Sequence, residues 1–199
     1  ITAHAVAAMG LWLDAIPQPL QARTETALGK ALAYLETAQR EDGAWVPLWF
    51  GNQAVANREN PVYGTSRAVK HLASCASGIG RIGHIGPMCE RGVRWLLSAQ
   101  NDDGGWGGSA CVASSIEETA LAVEALAAAC SLCADPSPVA QSARRGADWL
   151  VAHTHHGSYL PASPIGLYFA SLWYSEELYP IIFALAALSR VSRMPSFAS

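Results

Sequence analysis

The chain has 199 residues, of which 51% are apolar and 15% charged, with a net charge of −3. That length allows one domain with a sizeable core, and so weak a net charge excludes an electrostatic footprint for nucleic acid. No apolar run reaches the roughly 18 residues of a membrane-spanning helix, so the apolar excess belongs to a large interior, an uncovered interface or a membrane-facing patch.

Helical patterns dominate and predict an all-α fold with no linker to divide it. Residues 2–13 read as a helix, interrupted by Pro17 and Pro19. Ile1 to Leu13 is apolar but carries His4 and lacks a basic leader. This argues against a signal peptide and for a start inside a longer protein. A second helix covers 20–39 and ends in the Asp42-Gly43 turn; the stretch 40–62 is a long loop. Residues 64–76 are helical until Gly78, Gly80 and Gly83, and 87–100 are helical up to the glycine-rich loop 101–110. Ser114 with Glu117 three residues on reads as a capping box before helix 115–133. Glu117 and Glu118 are thereby cap and dipole partners rather than acids. Ser137 as N-cap and Pro138 at the first helical position open helix 138–153. His153, His155 and His156 fall at its solvated end. A loop over 155–163 leads into 165–192, read as mostly helical with a break near Pro180; no alternating strand run stands out.

The five cysteines (75, 89, 111, 130 and 133) are an odd count without framework spacing, which fits a reduced, intracellular setting. Cys130-x-x-Cys133 has no second pair to complete a zinc site, so both read as small core residues.

One phrase of the sequence repeats. Lys30-Ala31 runs through Tyr34-Leu35 to Gln39 and then Asp42-Gly43-Ala44-Trp45. Arg91-Gly92, 61 positions on, runs through Trp95-Leu96 to Gln100 and then Asp103-Gly104-Gly105-Trp106. A third copy keeps Arg145-Gly146 and Trp149-Leu150, but Thr154 replaces the glutamine and no Gly-x-Trp follows. Such a period marks stacked units with an atypical last one. Asp-Gly supplies a tight turn, the Gln amide can bind backbone groups left open at helix ends, and the Trp can cover the junction with the next unit. Gln39, Gly43, Trp45, Gln100, Gly104 and Trp106 are therefore structural.

The repeat resembles the QW motif of triterpene cyclases, and most closely that of squalene-hopene cyclase-like proteins. The likeness covers nearly the whole chain, but only the C-terminal part of such an enzyme. It implies a partial (α/α)6 toroid of the terpenoid cyclase type. Inner helices would be 2–13, 64–76, 115–133 and part of 165–192; outer ones 20–39, 87–100 and 138–153. It further implies proton-initiated cyclisation of a squalene-like polyene without metal or organic cofactor, in a cytoplasmic enzyme whose parent can rest on one leaflet of a membrane. The family's acid is an aspartate of a DxDD motif, which this chain lacks; Asp102-Asp103 belongs to the repeat turn. The segment alone is expected to be inactive, and to be weakly stable, to self-associate or to pair with the rest of its ring.

Ile1-Thr2-Ala3-His4 resembles the family's D-V-T-G/A-H segment, whose histidine pairs with the acid. By this likeness His4 helps the acid, since a cationic neighbour strengthens it; the plain alternative is a histidine at a frayed terminus. Trp49 stands where the family has a cavity tryptophan. Tyr63-Gly64-Thr65 matches a segment that opens an inner helix. Ile165-Gly166-Leu167-Tyr168-Phe169, through Trp173-Tyr174 to Tyr179-Pro180, matches the final aromatic-rich helix. Trp49, Tyr63, Tyr168, Phe169 and Trp173 are thus cavity candidates, placed to steady a carbocation with their ring faces or simply to pack. Leu167 in place of a phenylalanine and the longer stretch after Trp49 leave the product open. Two other readings remain. A protein prenyltransferase β-like toroid would need Asp, Cys and His zinc ligands, for which no matching set is found. A non-catalytic toroid scaffold would have kept the repeats and lost the acid.

Overall fold

The computed structural model describes residues 1–80 and 82–194. Its seven α-helices are α1 (Thr2–Trp12), α2 (Leu20–Ala38), α3 (Pro61–Ile79), α4 (Ile85–Ser98), α5 (Ile116–Ala129), α6 (Ser137–His153) and α7 (Leu178–Val191). The helices α1, α3, α5 and α7 pack side by side in that order, while α2 backs onto α1, α4 onto α3 and α6 onto α5. This inner row and outer row form an all-α arc of the terpenoid cyclase type, with the expected helices in each layer.

Burial explains the two layers. Every residue of α5 from Ile116 to Leu126 is buried, because α3, α6 and α7 surround it. An Ala-rich helix that is apolar nearly all round belongs inside. The outer α2 buries only a stripe, Thr24, Leu28, Leu32 and Leu35, at helical spacing. Glu124, buried on α5, is paired with Lys70 of α3 at 2.9 Å.

The repeated phrase interlocks neighbouring units. Gln39 Nε2 donates to the carbonyls of Gly43 (2.8 Å) and Met88 (3.1 Å), and its Oε1 accepts from Arg91 Nε at 3.0 Å. Gln100 does the same one unit on, donating to Gly104 (2.8 Å) and Ser142 (3.0 Å) and accepting from Ser142 Oγ (2.9 Å). Trp45 and Trp106 are buried, and each indole N–H donates to a carbonyl ten residues back, Leu35 and Leu96, at 2.8 Å. The rings enter notches left by glycine on the next outer helix. A Cβ on Gly92 would stand 2.9 Å from Trp45 Cζ3, and one on Gly146 2.6 Å from Trp106 Cζ3. Gly43 and Gly104 turn the chain at φ of +98° and +96°, where a side chain is strained. The six residues read as structural all sit in these joints.

Three local expectations are corrected. The capping box lies one residue later: Ser115 Oγ accepts from the Glu118 N–H at 3.2 Å and donates to its carboxylate, while Ser114 is drawn into the repeat turn by Asp103 at 2.9 Å. Helix α6 starts at Ser137 itself, whose N–H is taken by Asp135 at 3.0 Å. The stretch after Pro164 is not helical. It forms an antiparallel hairpin of β1 (Ile165–Leu167) and β2 (Leu172–Tyr174) before α7 begins. The hairpin's backbone finds its partner across the fold, where Gly166 and Gly51 exchange bonds of 2.9 and 3.1 Å. Tyr168, Phe169 and Ala170 all turn at positive φ, which no helix tolerates.

Candidate functional site

Two irregular segments meet at the N-terminal ends of α3, α5 and α7. The loop before α3 is anchored by buried polar groups. Asn60 caps α3 by accepting from the Tyr63 N–H (3.0 Å) and donates to Glu118 (2.9 Å), which also accepts from Asn52 at 3.0 Å. Glu117 holds the segment before the hairpin through Ser163, whose N–H and Oγ reach its carboxylate at 2.6 and 2.9 Å. Burial raises the Glu117 pKa above the usual carboxylate value despite these bonds. Both carboxylates thus clamp loops, a job beyond the capping role expected of them.

The Gly51–Gly166 bridge brings the two segments' aromatic residues together. Trp49 lies 5.2 Å from the ring of Tyr168 and 5.5 Å from that of Phe169, and all three are exposed. Trp173 faces Gly166 across the hairpin, and its ring fills the space a side chain there would need. Tyr63 stacks on Phe50 at 4.4 Å. Tyr174 and Tyr179 share a hydroxyl hydrogen bond of 3.0 Å, and Tyr179 stacks on Phe183 at 5.1 Å. That bond and burial push the Tyr174 hydroxyl up to about 12.

A third group was not anticipated. Tyr63, Arg67 and His71 occupy successive turns of one face of α3. The Arg67 guanidinium lies 5.5 Å from the Tyr63 ring centre and 4.8 Å from that of Phe183. His71 meets His4 with ring centres 3.8 Å apart. Burial and then the Arg67 charge lower the pKa of His4, and burial and His4 push His71 down to about 3. Burial also raises the Tyr63 hydroxyl. Arg67 Nε and His71 Nε2 are buried with no hydrogen-bond partner. The i, i+4, i+8 spacing of Tyr63, Arg67 and His71 was visible in the sequence, but a helix started at residue 64 left Tyr63 off it.

Of the predicted residues, Trp49, Tyr168 and Phe169 form one cluster with Trp173 behind them, while His4 and Tyr63 belong to the Arg67–His71 face. Such rings offer electron-rich faces to a cation, yet Arg67 already covers those of Tyr63 and Phe183. Among the described residues, no three His, Cys, Asp or Glu side chains are grouped to hold a metal ion, and no helix is long and apolar enough to cross a membrane. A groove of about 630 Å³ on the outer side, lined by Asp103, Cys111, Trp149 and His153, is part of the repeat joint rather than of this site. There His153 stacks on Trp149 at 3.9 Å.

The family described as squalene-hopene cyclase C-terminal domain matches residues 1–193. The copalyl diphosphate synthase of Streptomyces cyslabdanicus is 32% identical over 184 residues, 89% of this chain and 28% of that protein. The squalene–hopene cyclase of Bradyrhizobium diazoefficiens is 31% identical over 142 residues, 66% of this chain and 19% of that one. The enfumafungin synthase of Hormonema carpetanum is 30% identical over 161 residues, 76% of this chain and 11% of that one. The chain therefore spans less than a third of the length of each relative.

Proposed function

Because the chain belongs to the squalene-hopene cyclase C-terminal domain family, we propose that it is the C-terminal arm of a longer triterpene cyclase-like enzyme. The reaction is a proton-initiated cyclisation of a squalene-like polyene, and the acid comes from the part of the protein outside these residues. The observation that carries this reading is the gathering of Trp49, Tyr168 and Phe169 at the inner-helix ends by the Gly51–Gly166 bridge. The three rings are exposed and, among the described residues, none has a cation over its face, which suits a passing carbocation. Walls of this kind also keep water from the cation until cyclisation is complete. In this scheme His4 assists the acid's carboxylate as a neutral hydrogen-bonding partner, since burial and the Arg67 charge disfavour its cationic form. The apolar residues left bare on α1 (Leu11, Trp12) and α7 (Leu178, Ile181, Ile182, Leu185) supply surface for the rest of the ring or for a membrane leaflet.

The test uses the longer protein with squalene and product analysis by gas chromatography. Trp49→Ala and Tyr168→Ala are expected to lower turnover or change the product mixture while leaving the melting temperature nearly unchanged. His4→Ala is expected to lower turnover more than stability, and unchanged turnover removes His4 from the mechanism. A longer protein that turns over no polyene at all, with or without these changes, favours the non-catalytic scaffold.

A further inference from the structure

The inner face of α3 carries an electrostatic imbalance. Arg67 bears a fixed positive charge, and among the described residues no carboxylate pairs with it; Glu124 of α5 is taken by Lys70 at 2.9 Å. Two aromatic rings hold the guanidinium in place, which leaves its Nε buried and unused. One turn on, His71 Nε2 is buried and unused as well. Buried donors without acceptors are rare and costly. Ser66 Oγ is also unpartnered, but it sits about 100° round the helix from Arg67 and off this face. Two idle donors on one stripe, beside a fixed charge, call for the same partner: an anion with oxygen acceptors.

We propose that Arg67 and His71 form an oxyanion-binding site on the inner face of α3, with His4 packed against its far edge. Arg67 supplies charge and the Nε–H donor, and His71 in its Nε2–H tautomer supplies the second donor. Tyr63 and Phe183 keep the guanidinium from swinging away. The ligand chemistry is a phosphate or carboxylate oxyanion, and two sources present it. One is the diphosphate of an isoprenoid diphosphate substrate, whose linked phosphoryl groups offer acceptors to donors carried on adjacent turns of one helix. The other is a carboxylate from the remainder of the longer protein. The existence of the site does not depend on the proposed cyclase reaction; only the choice between sources rests on that reading. A carboxylate source agrees with His4 as the acid's helper, while a diphosphate source assigns His4 to the anion instead.

Inorganic pyrophosphate is the probe, titrated by calorimetry into residues 1–199 and into the longer protein. Residues 1–199 are expected to bind it, and Arg67→Gln to weaken binding at least tenfold, with far-UV circular dichroism confirming the fold. Arg190→Gln, on α7 away from this face, should bind like the wild type. Where Arg67→Gln does not fold, His71→Gln carries the same test. Binding by both forms of the protein assigns the site to a diphosphate ligand. Binding by residues 1–199 alone assigns it to an internal carboxylate. Absence of binding by folded residues 1–199, or binding that survives these substitutions, overturns the proposal, and neither result touches the turnover test of the cyclase reading.

Discussion

Glycine to alanine inside a helix normally stabilises a protein by about 0.4–1 kcal/mol, because it restricts the unfolded chain. Gly146 on α6 should reverse that sign. A methyl there would meet Val123 Cγ2 at 2.5 Å and Trp106 Cζ3 at 2.6 Å, closer than carbon atoms approach. Neither neighbour can yield easily: Trp106 and Val123 are fully buried, and the indole is tethered to the Leu96 carbonyl at 2.8 Å. Overpacking of this kind costs about 1–3 kcal/mol, so Gly146→Ala should be destabilising by roughly 0.5–2 kcal/mol after the helix gain is subtracted. Gly86 on α4 is the control, since a methyl there meets nothing within 4 Å. Urea unfolding followed by circular dichroism should separate the two variants in opposite directions from the wild type. Combining Gly146→Ala with Trp106→Phe, which removes the six-membered ring edge that clashes, should show a smaller cost for the alanine than in the wild-type background. A Gly146→Ala chain as stable as the Gly86→Ala chain would refute the view that the indole seats in the glycine notch.

The glutamine joint makes a prediction about charge. Gln39→Glu should destabilise at neutral pH by about 1–3 kcal/mol, even though it sets a carboxylate beside Arg91, because that carboxylate opposes the Gly43 and Met88 carbonyls the amide now serves. Stability equal to wild type in the same unfolding assay would mean the Arg91 contact alone matters. His71 predicts a pH dependence. Its folded pKa is about 3 against an ordinary 6.5, so the unfolded chain takes up the proton first and stability falls as pH drops from 6.5 toward 3. His71→Gln should flatten that slope relative to wild type in melts run from about pH 7 to about pH 4; parallel curves would place the imidazole in solvent.

The helices and their two layers were legible because each is a simple sum of local signals: periodic apolar residues, a breaker at each end, and a repeat that sets neighbours. Errors arose where a distant partner decided. Ser114 and Ser115 are equally good caps by spacing, and the choice between them was made by Asp103, 11 residues away in the repeat turn. The stretch from Ile165 to Tyr174 is apolar enough for a helix, and became a hairpin because Gly51 offered backbone partners from the other side of the fold. The aromatic candidates could be named from the likeness alone, but their division into two groups could not. Nothing near Trp49 in sequence tells that Tyr168 lies against it while Tyr63 lies against a guanidinium.

The third copy of the repeat makes sense once the phrase is split into two halves. Its first half, the basic residue and glycine, is a socket; its second half, from glutamine to tryptophan, is a plug. The plug of the first copy enters the socket of the second, as Trp45 meets Gly92, and that of the second enters the third, as Trp106 meets Gly146. Arg145-Gly146 must therefore persist whatever happens downstream. The plug is free to change, and it has: Thr154 accepts from the Gly157 N–H at 3.2 Å and closes the end of α6 locally instead of reaching another helix. The interlock is thus directional, and what reads as decay in the sequence is a joint whose receiving side is intact and whose giving side has been retired.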